Sequence, residues 1–400
     1  MKSIKSIYKI GLGPSSSHTM GPAYAAKNFL SLCEDVDFIK VYLLGSLCKT
    51  GKGHGTDRAV SEMLAGIPHE IIFDENATTP EHPNTIDFVA FKGDKEILRK
   101  RYLSIGGGEV RTPNEDALVP EQVYEEKTFT EIAEICKGRG IRLSDYVFEH
   151  EGEGIREYLL TVWKTMLSAI REGLTKSGTL PGGLSVERKA QFLFNQKHID
   201  ESPQTRENRL VCAYAFAVSE QNADCGTIVT APTCGSCGVV PSVLKYMKEK
   251  NGFSDDDVVR ALAVAGLIGN LVATNASISG AECGCQAEIG TACSMASAAL
   301  CELFDMGIDQ IEYAAEVAME HHLGLTCDPV CGLVQIPCIE RNAVAAMRAI
   351  NALSLANFLS TTRKVSFDVV VETMYQTGRD LSHLYRETSE GGLAKLYENA

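Results

Sequence analysis

The chain has 400 residues, 44% apolar and 22% charged, with a formal net charge of −14. That length favours two domains, and that composition a globular protein rather than a disordered or fibrous one. No basic stripe offsets the acidity, which argues against a nucleic-acid partner. No 18-residue apolar run is present, so no membrane span is expected. The start carries Lys2, Lys5 and Lys9 with no apolar stretch behind them, unlike a signal peptide, so a cytoplasmic protein is expected.

The first element is a loop, YKIGLGPSSSHT (8–19), followed from Pro22 by apolar residues at helical spacing. Ser15, Ser16, Ser17 and Thr19 put four hydroxyls ahead of a helix, with His18 among them. A single N-cap needs one hydroxyl. Four, together with the free N–H groups of a helix start, suit a bound carboxylate or phosphate. DFIKVYLLGS (37–46) reads as a strand. Behind it, Gly51, Gly53 and Gly55 surround Lys52 and His54 before a helix from about Thr56. A P-loop lysine after the last glycine is missing, so the loop is a poor phosphate cradle. It is a good mount for one histidine, a group able to act as base or acid near neutral pH. His69, His82, His150, His198 and His383 lack such a setting and read as structural or solvated.

Strand-like runs follow at 69–74, 84–91 and 96–110, the last ending in three glycines. The sequence therefore predicts a small α/β domain over 1–115. The charged, Pro-bearing stretch around 116–128 reads as a linker. From 129 to 400 the pattern is helical, with helices predicted over 129–138, 142–150, 153–175, 186–195, 206–222, 237–250, 256–273, 290–305, 308–322 and 340–359. Several are apolar nearly all round, which marks buried helices. The fold class is α+β: a small α/β domain, then a larger all-α domain. Between the helices lie glycine-rich connections at 177–184, 230–241, 276–286 and 324–332, expected to meet at one place.

Fourteen cysteines in a cytosolic chain need a reason, because disulfides are disfavoured there. Cys33, Cys48, Cys136, Cys212 and Cys301 read as small buried hydrophobes. Cys283, Cys285, Cys293, Cys327, Cys331 and Cys338 crowd into one Gly-rich stretch, which suits a buried inorganic cofactor. Cys234-x-x-Cys237 and Cys327-x3-Cys331 are generic metal spacings, each weak alone. Zinc prefers paired CxxC motifs or added histidines, and the contiguous ferredoxin run is missing. A cluster with scattered ligands fits better, but spacing leaves the choice among the cysteines open.

The series GLGPSSSHTMGP, TGKGHGTDRA, SIGGGE, LPGGL, TAPTCGSCGVVP, NASISGAE-x-GCQAEIGTACSMA and LTCDP-x-x-GLVQIPCIERN resembles the iron–sulfur L-serine dehydratases of bacteria. The likeness runs in order through essentially the whole chain. It implies an N-terminal domain similar to the allosteric substrate-binding domain of some phosphoglycerate dehydrogenases, and an all-helical catalytic domain. It also implies a [4Fe–4S] cluster on Cys285, Cys327 and Cys338, with Cys283, Cys293 and Cys331 as non-ligands. Some relatives insert a terminal cysteine into their own active site. This chain ends in LYENA, so that inhibition is not carried over and the fourth iron is expected to be open.

On this reading the open iron binds the hydroxyl of L-serine as a Lewis acid. His54 is the expected base for the Cα proton, with His18 as second catalytic histidine. Ser15, Ser16, Ser17 and Thr19 would grip the carboxylate, and Asn275, Ser277 and Ser279 the amino group. The products are pyruvate and ammonia, the site is expected between the domains, and the family implies a homodimer and oxygen sensitivity. A lyase acting on L-threonine or L-cysteine is the alternative within the class. A non-catalytic iron–sulfur sensor is the alternative outside it, but the output domain a sensor needs is not visible.

Overall fold

The computed structural model describes residues 1–82, 84–113, 122–196 and 201–397. The chain forms two compact units, a small one, Gly11–Pro120, and a large one made of Met1–Ile10 and Glu121–Ala400. The α+β class expected from the sequence is the one found: a β-rich small unit and a helical large one.

The small unit carries helices α1 (Gly21–Ser31), α2 (Ser46–Thr50) and α3 (Thr56–Met63). Its sheet has five strands: β1 (Phe38–Gly45), β2 (His69–Asp74), β3 (Asn84–Lys92), β4 (Lys95–Gly106) and β5 (Glu109–Arg111). Strand order is β2-β1-β3-β4-β5. β1 and β2 are parallel, with α2 and α3 in the crossover, and the other pairs are antiparallel. Period-two burial in β1 sends Ile39, Val41 and Leu43 into a core with Phe29, Val60, Ile86, Phe88 and Tyr102. Phe88 stacks on Phe29 at 5.1 Å and meets the edge of Tyr102 at 5.8 Å.

The first ten residues, counted with the small domain by sequence, pack with the helices. Ile4, Ile7 and Tyr8 are buried, and Tyr8 Oη donates to Leu262 O at 2.9 Å. Their receiving helix has glycines at the contact. A Cβ on Gly266 would stand 2.9 Å from Tyr8, and one on Gly269 3.0 Å from Ile7. The linker expected over 116–128 is outside the described residues as far as 121. Beyond that it belongs to the helical unit: Val123 and Tyr124 donate to Met1 O at 2.9 and 3.1 Å, and the buried Tyr124 ring stacks on Tyr146 and His150. His198 also falls outside the described residues.

The large unit continues with α4 (Phe129–Arg139), α5 (Leu143–Glu151), α6 (Ile155–Thr175), α7 (Ala190–Asn195), α8 (Pro203–Ala223), α9 (Val239–Asn251), α10 (Asp255–Asn275), α11 (Gly280–Cys283), α12 (Thr291–Leu303), α13 (Ile308–Glu320), α14 (Cys338–Leu359), α15 (Phe367–Asp380) and α16 (Gly392–Tyr397). Every residue of α12 is buried, and α9, α10, α13 and α14 pack around it. Its run TACSMASAALCEL shows why: Ala, Ser and Cys let neighbouring helices approach on all sides. The buried Glu302 is held by Arg142 at 2.8 and 3.0 Å and by Ser144 Oγ at 2.8 Å, so its charge is compensated. By length and composition α10 and the run Cys338–Thr362 are apolar enough to cross a membrane, although the sequence shows no unbroken apolar run. Most of α10 is buried against its neighbours.

Candidate functional site

In the small unit, the SSSHT loop forms a five-residue π turn, Ser16–Met20, leading straight into α1. Ser15 Oγ accepts from His18 N at 3.2 Å and so caps the turn. Ser17 Oγ lies 2.9 Å from His18 Nδ1, and Ser46 Oγ lies 3.0 Å from His18 Nε2. Both ring nitrogens of His18 are therefore held by hydroxyls. Thr19 Oγ1 donates to His54 O at 2.8 Å, tying the two motif loops together. The rings of His18 and His54 stand 4.6 Å apart, both buried.

His54 differs from its neighbour. Its Nδ1 lies 3.0 Å from Thr50 O, a pure acceptor. The proton must then sit on Nδ1, leaving the lone pair on Nε2. Burial lowers the pKa of His54, with the Thr50 hydrogen bond opposing. Burial and then His54 bring His18 down to about 3. Both rings are neutral at pH 7, and His54 has the tautomer of a base. Ser15 and Ser17 work chiefly on the loop itself, Thr19 joins it to His54, and Ser16 is buried beside them.

In the helical unit, Cys285 opens a second π turn, Gln286–Gly290, ahead of α12. Cys327 lies in the loop after α13, and Cys338 begins α14. Ligand atoms of Cys285, Glu288 and Cys327 all lie within 4.8 Å of one another. A hydrogen bond with Cys285, and then burial, push the Cys327 thiol well up. Burial and the nearby Cys285 push Cys338 up as well. The three cysteines thus share one place.

Local chemistry explains why they meet. Gln286 Nε2 donates to Met374 O at 3.1 Å, and its Oε1 accepts from Gly324 N at 2.9 Å. This joins the Cys285 loop to α15 and to the Cys327 loop. Cys327 N donates to Tyr385 O, and Glu387 N to Cys327 O, each at 2.8 Å, so the C-terminal segment runs beside Cys327 as a short parallel bridge. Arg341 Nη1 donates to Thr326 O at 2.8 Å and Nη2 to Asp328 Oδ1 at 3.2 Å. Its guanidinium also lies against the Cys285 and Cys338 thiols. Asn342 Nδ2 donates to Gly235 O at 2.8 Å, fastening the 230–241 loop to α14. Three of the four glycine-rich connections therefore converge here.

The remaining cysteines of the stretch are engaged elsewhere. Cys283 packs on α15, where a Cβ on Gly378 would stand 2.5 Å from the Cys283 Cβ. Cys293 Sγ donates to Ala345 O at 3.3 Å. Cys331 is exposed, on backbone with φ +53°. Asn275 is exposed, and its Nδ2 donates to Lys127 O at 2.6 Å and Leu271 O at 2.9 Å, fixing the end of α10. Ser277 Oγ bonds Glu282 and accepts from Ser279 N at 3.0 Å, an ordinary turn.

Glu288, Arg341 and Glu387 were not singled out from the sequence. Glu288 shows there as one acid in the small-residue run GCQAEIGTAC. Burial raises its pKa, while Thr233 Oγ1, 2.6 Å from Oε1, pulls the other way. Burial and then the charge of Glu288 lift Glu387 to about 8. Glu387 sits on non-glycine backbone with φ +59°, a conformation held only where the surroundings impose it.

Three thiols and a carboxylate on close-approaching loops are a soft donor set for iron–sulfur or zinc. A Cβ on Gly280 would stand 3.1 Å from Cys327 Sγ and 2.7 Å from Glu288 Oε2, so a larger residue would fill the place these groups face. The residues fit a metal group.

The model of the serine dehydratase beta chain matches residues 3–70 and 66–115, and that of the serine dehydratase alpha chain residues 96–394. The L-serine dehydratase of Streptomyces coelicolor is 40% identical over 448 residues, covering 98% of each chain. L-serine dehydratase 1 of Escherichia coli is 41% identical over 449 residues, covering 98% of this chain and 99% of the relative. The L-serine dehydratase of Haemophilus influenzae is 40% identical with the same coverage. The chain belongs to the serine dehydratase family, in the form that joins the beta and alpha parts in one polypeptide.

Proposed function

We propose that this protein is an L-serine ammonia-lyase that forms pyruvate and ammonia, with a [4Fe–4S] cluster on Cys285, Cys327 and Cys338. The observation that carries the reading is the convergence of these three thiols, from three separate loops, in a chain about 40% identical to L-serine dehydratases over its length. When bound, a cluster with three protein thiolates supplies a Lewis-acidic iron for the departing hydroxyl.

The chain's own residues supply the rest. Arg341 offers positive charge to the thiolates, fixed by Thr326 O and Asp328. His54 is the proposed base, its Nε2 lone pair taking the Cα proton while hydroxide leaves Cβ. His18 stays neutral and holds its place through Ser17 and Ser46. The released aminoacrylate tautomerises to an imine, and water converts that to pyruvate and ammonia. Ser15, Ser16, Ser17 and Thr19 remain the proposed carboxylate loop, and a cytoplasmic homodimer completes the reading.

The test is anaerobic purification with iron and sulfide analysis, then pyruvate or 2-oxobutanoate assays on L-serine, L-threonine and L-cysteine. About four irons and four sulfides per chain, with L-serine turned over fastest, are expected. Full activity in iron-free protein would sink the reading, and zinc in place of iron would sink the cluster assignment.

A further inference from the structure

The dehydratase reading gives no work to the carboxylate at the thiol site. Glu288 stands on the π turn that Cys285 opens, with an oxygen within 4.8 Å of the Cys285 and Cys327 sulfurs. Thr233 Oγ1 orients Oε1 from 2.6 Å. Two glycines border the carboxylate: a Cβ on Gly280 would lie 2.7 Å from Oε2, and one on Gly235 3.3 Å from Oε1. These sides stay open because the glycines have no side chains.

The geometry leaves room for an incoming cation. Thr233 holds Oε1, and Oε2 faces the side that Gly280 leaves open. Arg341 is nearby, but its Nη1 and Nη2 donate to Thr326 O and Asp328 Oδ1. A compact donor with several N–H groups, brought by the ligand, would meet Glu288 with charge-assisted hydrogen bonds.

We propose that Glu288 receives the α-ammonium group of the amino-acid substrate beside the thiols, and so selects 2-amino acids over 2-hydroxy acids. The inference rests on the dehydratase reading. It replaces Asn275 as ammonium anchor, since that amide is already bonded to Lys127 O and Leu271 O. A site built around a charged partner rejects an analogue that leaves it unpaired far more strongly than an apolar pocket does.

The experiment uses the anaerobic holoenzyme and the variants Glu288→Gln and Thr233→Val. For each, kcat and KM for L-serine are measured, with the inhibition constant of glycerate, in which hydroxyl replaces ammonium. Iron and sulfide per chain are measured in parallel. E288Q is expected to keep its iron and sulfide. Its KM for L-serine should rise roughly 30-fold, with glycerate inhibition changed less than about threefold, so that the preference for ammonium falls tenfold or more. T233V should move the same way by about threefold, because it only frees the carboxylate to turn. Unchanged KM and unchanged discrimination in E288Q would overturn the inference while leaving the dehydratase reading intact. So would loss of iron, which would make Glu288 a metal ligand. Wild-type protein that forms no pyruvate would remove the parent reading, and the inference with it. Should E288Q fail to fold by circular dichroism, unchanged discrimination in T233V overturns the proposal.

Discussion

The two motif-rich regions are prepared to different degrees. In the small unit, His18 has a hydroxyl on each ring nitrogen, and His54 has its Nδ1 proton on a carbonyl. Burial holds both rings neutral. In the helical unit, the Cys327 and Cys338 thiols and the two glutamates are pushed toward their protonated forms by burial and by their neighbours. Acids crowded together in that way are stabilised by positive charge brought among them. The difference teaches where cofactor dependence should reside: in the helical unit, with the histidine pair indifferent to iron.

The strongest way to break that comparison is to remove a thiol. Cys285→Ser, Cys327→Ser and Cys338→Ser should each lower iron and sulfide per chain, with turnover falling at least about 10³-fold, the scale of lost metal assistance. Cys331→Ser alters an exposed side chain and should keep both iron and activity within about twofold. Equal losses in all four would mean that the thiols act through folding rather than ligation. Colorimetric iron and sulfide assays on anaerobic protein decide it.

His54→Ala probes the other half. Activity should fall about 10²- to 10⁴-fold, the usual contribution of a general base, with the visible absorbance of the cluster unchanged. The sign of the pH dependence follows from the tautomer. The base must be neutral, and its folded pKa lies below the usual 6.5. The acid limb of kcat/KM should therefore lie below pH 6.5, with activity lost as pH falls through it. A limb above 6.5, or one that persists in the variant, would assign it to another group. His18 bears on stability by the same logic. Its folded pKa of about 3 is below its unfolded value, so its contribution is present above 6.5 and is lost as pH falls from there toward 3.

How much of this was legible in the sequence depended on what each element obeys. Period-two burial made β1 readable from FIKVYLLG, and the small-residue helices read correctly because they are buried all round. α15 was missed: its Val369-Val370-Val371 run suggests a strand more than a helix, and only the Ser366 cap and the packing of Phe367, Val370, Val371 and Met374 decide otherwise. The first ten residues were assigned to the wrong unit because sequence adjacency says nothing about Gly266 and Gly269, which open α10 to Ile4, Ile7 and Tyr8. Spacing could not choose among the cysteines. The choice came from family likeness, and the structure adds that Cys283, Cys293 and Cys331 have other surroundings. Glu288 and Arg341 were invisible because their role depends on partners far away in the chain, Thr233 for Glu288 and Cys285 for Arg341, that meet them only in the fold.

The smallest effects come from one methyl group added to each region. Gly378→Ala puts a Cβ 2.5 Å from the Cys283 Cβ and 2.7 Å from its Cα. Backbone cannot rotate away, so the loop leading to Cys285 must shift. A loss of about 1–3 kcal/mol is expected, with iron held more weakly against a chelator. Gly21→Ala puts its Cβ 2.0 Å from Ser104 Oγ, the hydroxyl that donates to Ser17 O at 2.7 Å. Ser104 can turn aside, but the Ser17 carbonyl then loses its donor at a cost of about 1 kcal/mol or more. Because Ser17 also holds His18 Nδ1, the variant should raise KM by a few-fold while iron content stays at the wild-type level. Melting curves and chelator competition on the two proteins, side by side, test whether the regions respond separately. Iron loss in G21A equal to that in G378A would show that the histidine unit is as cofactor-dependent as the helical one.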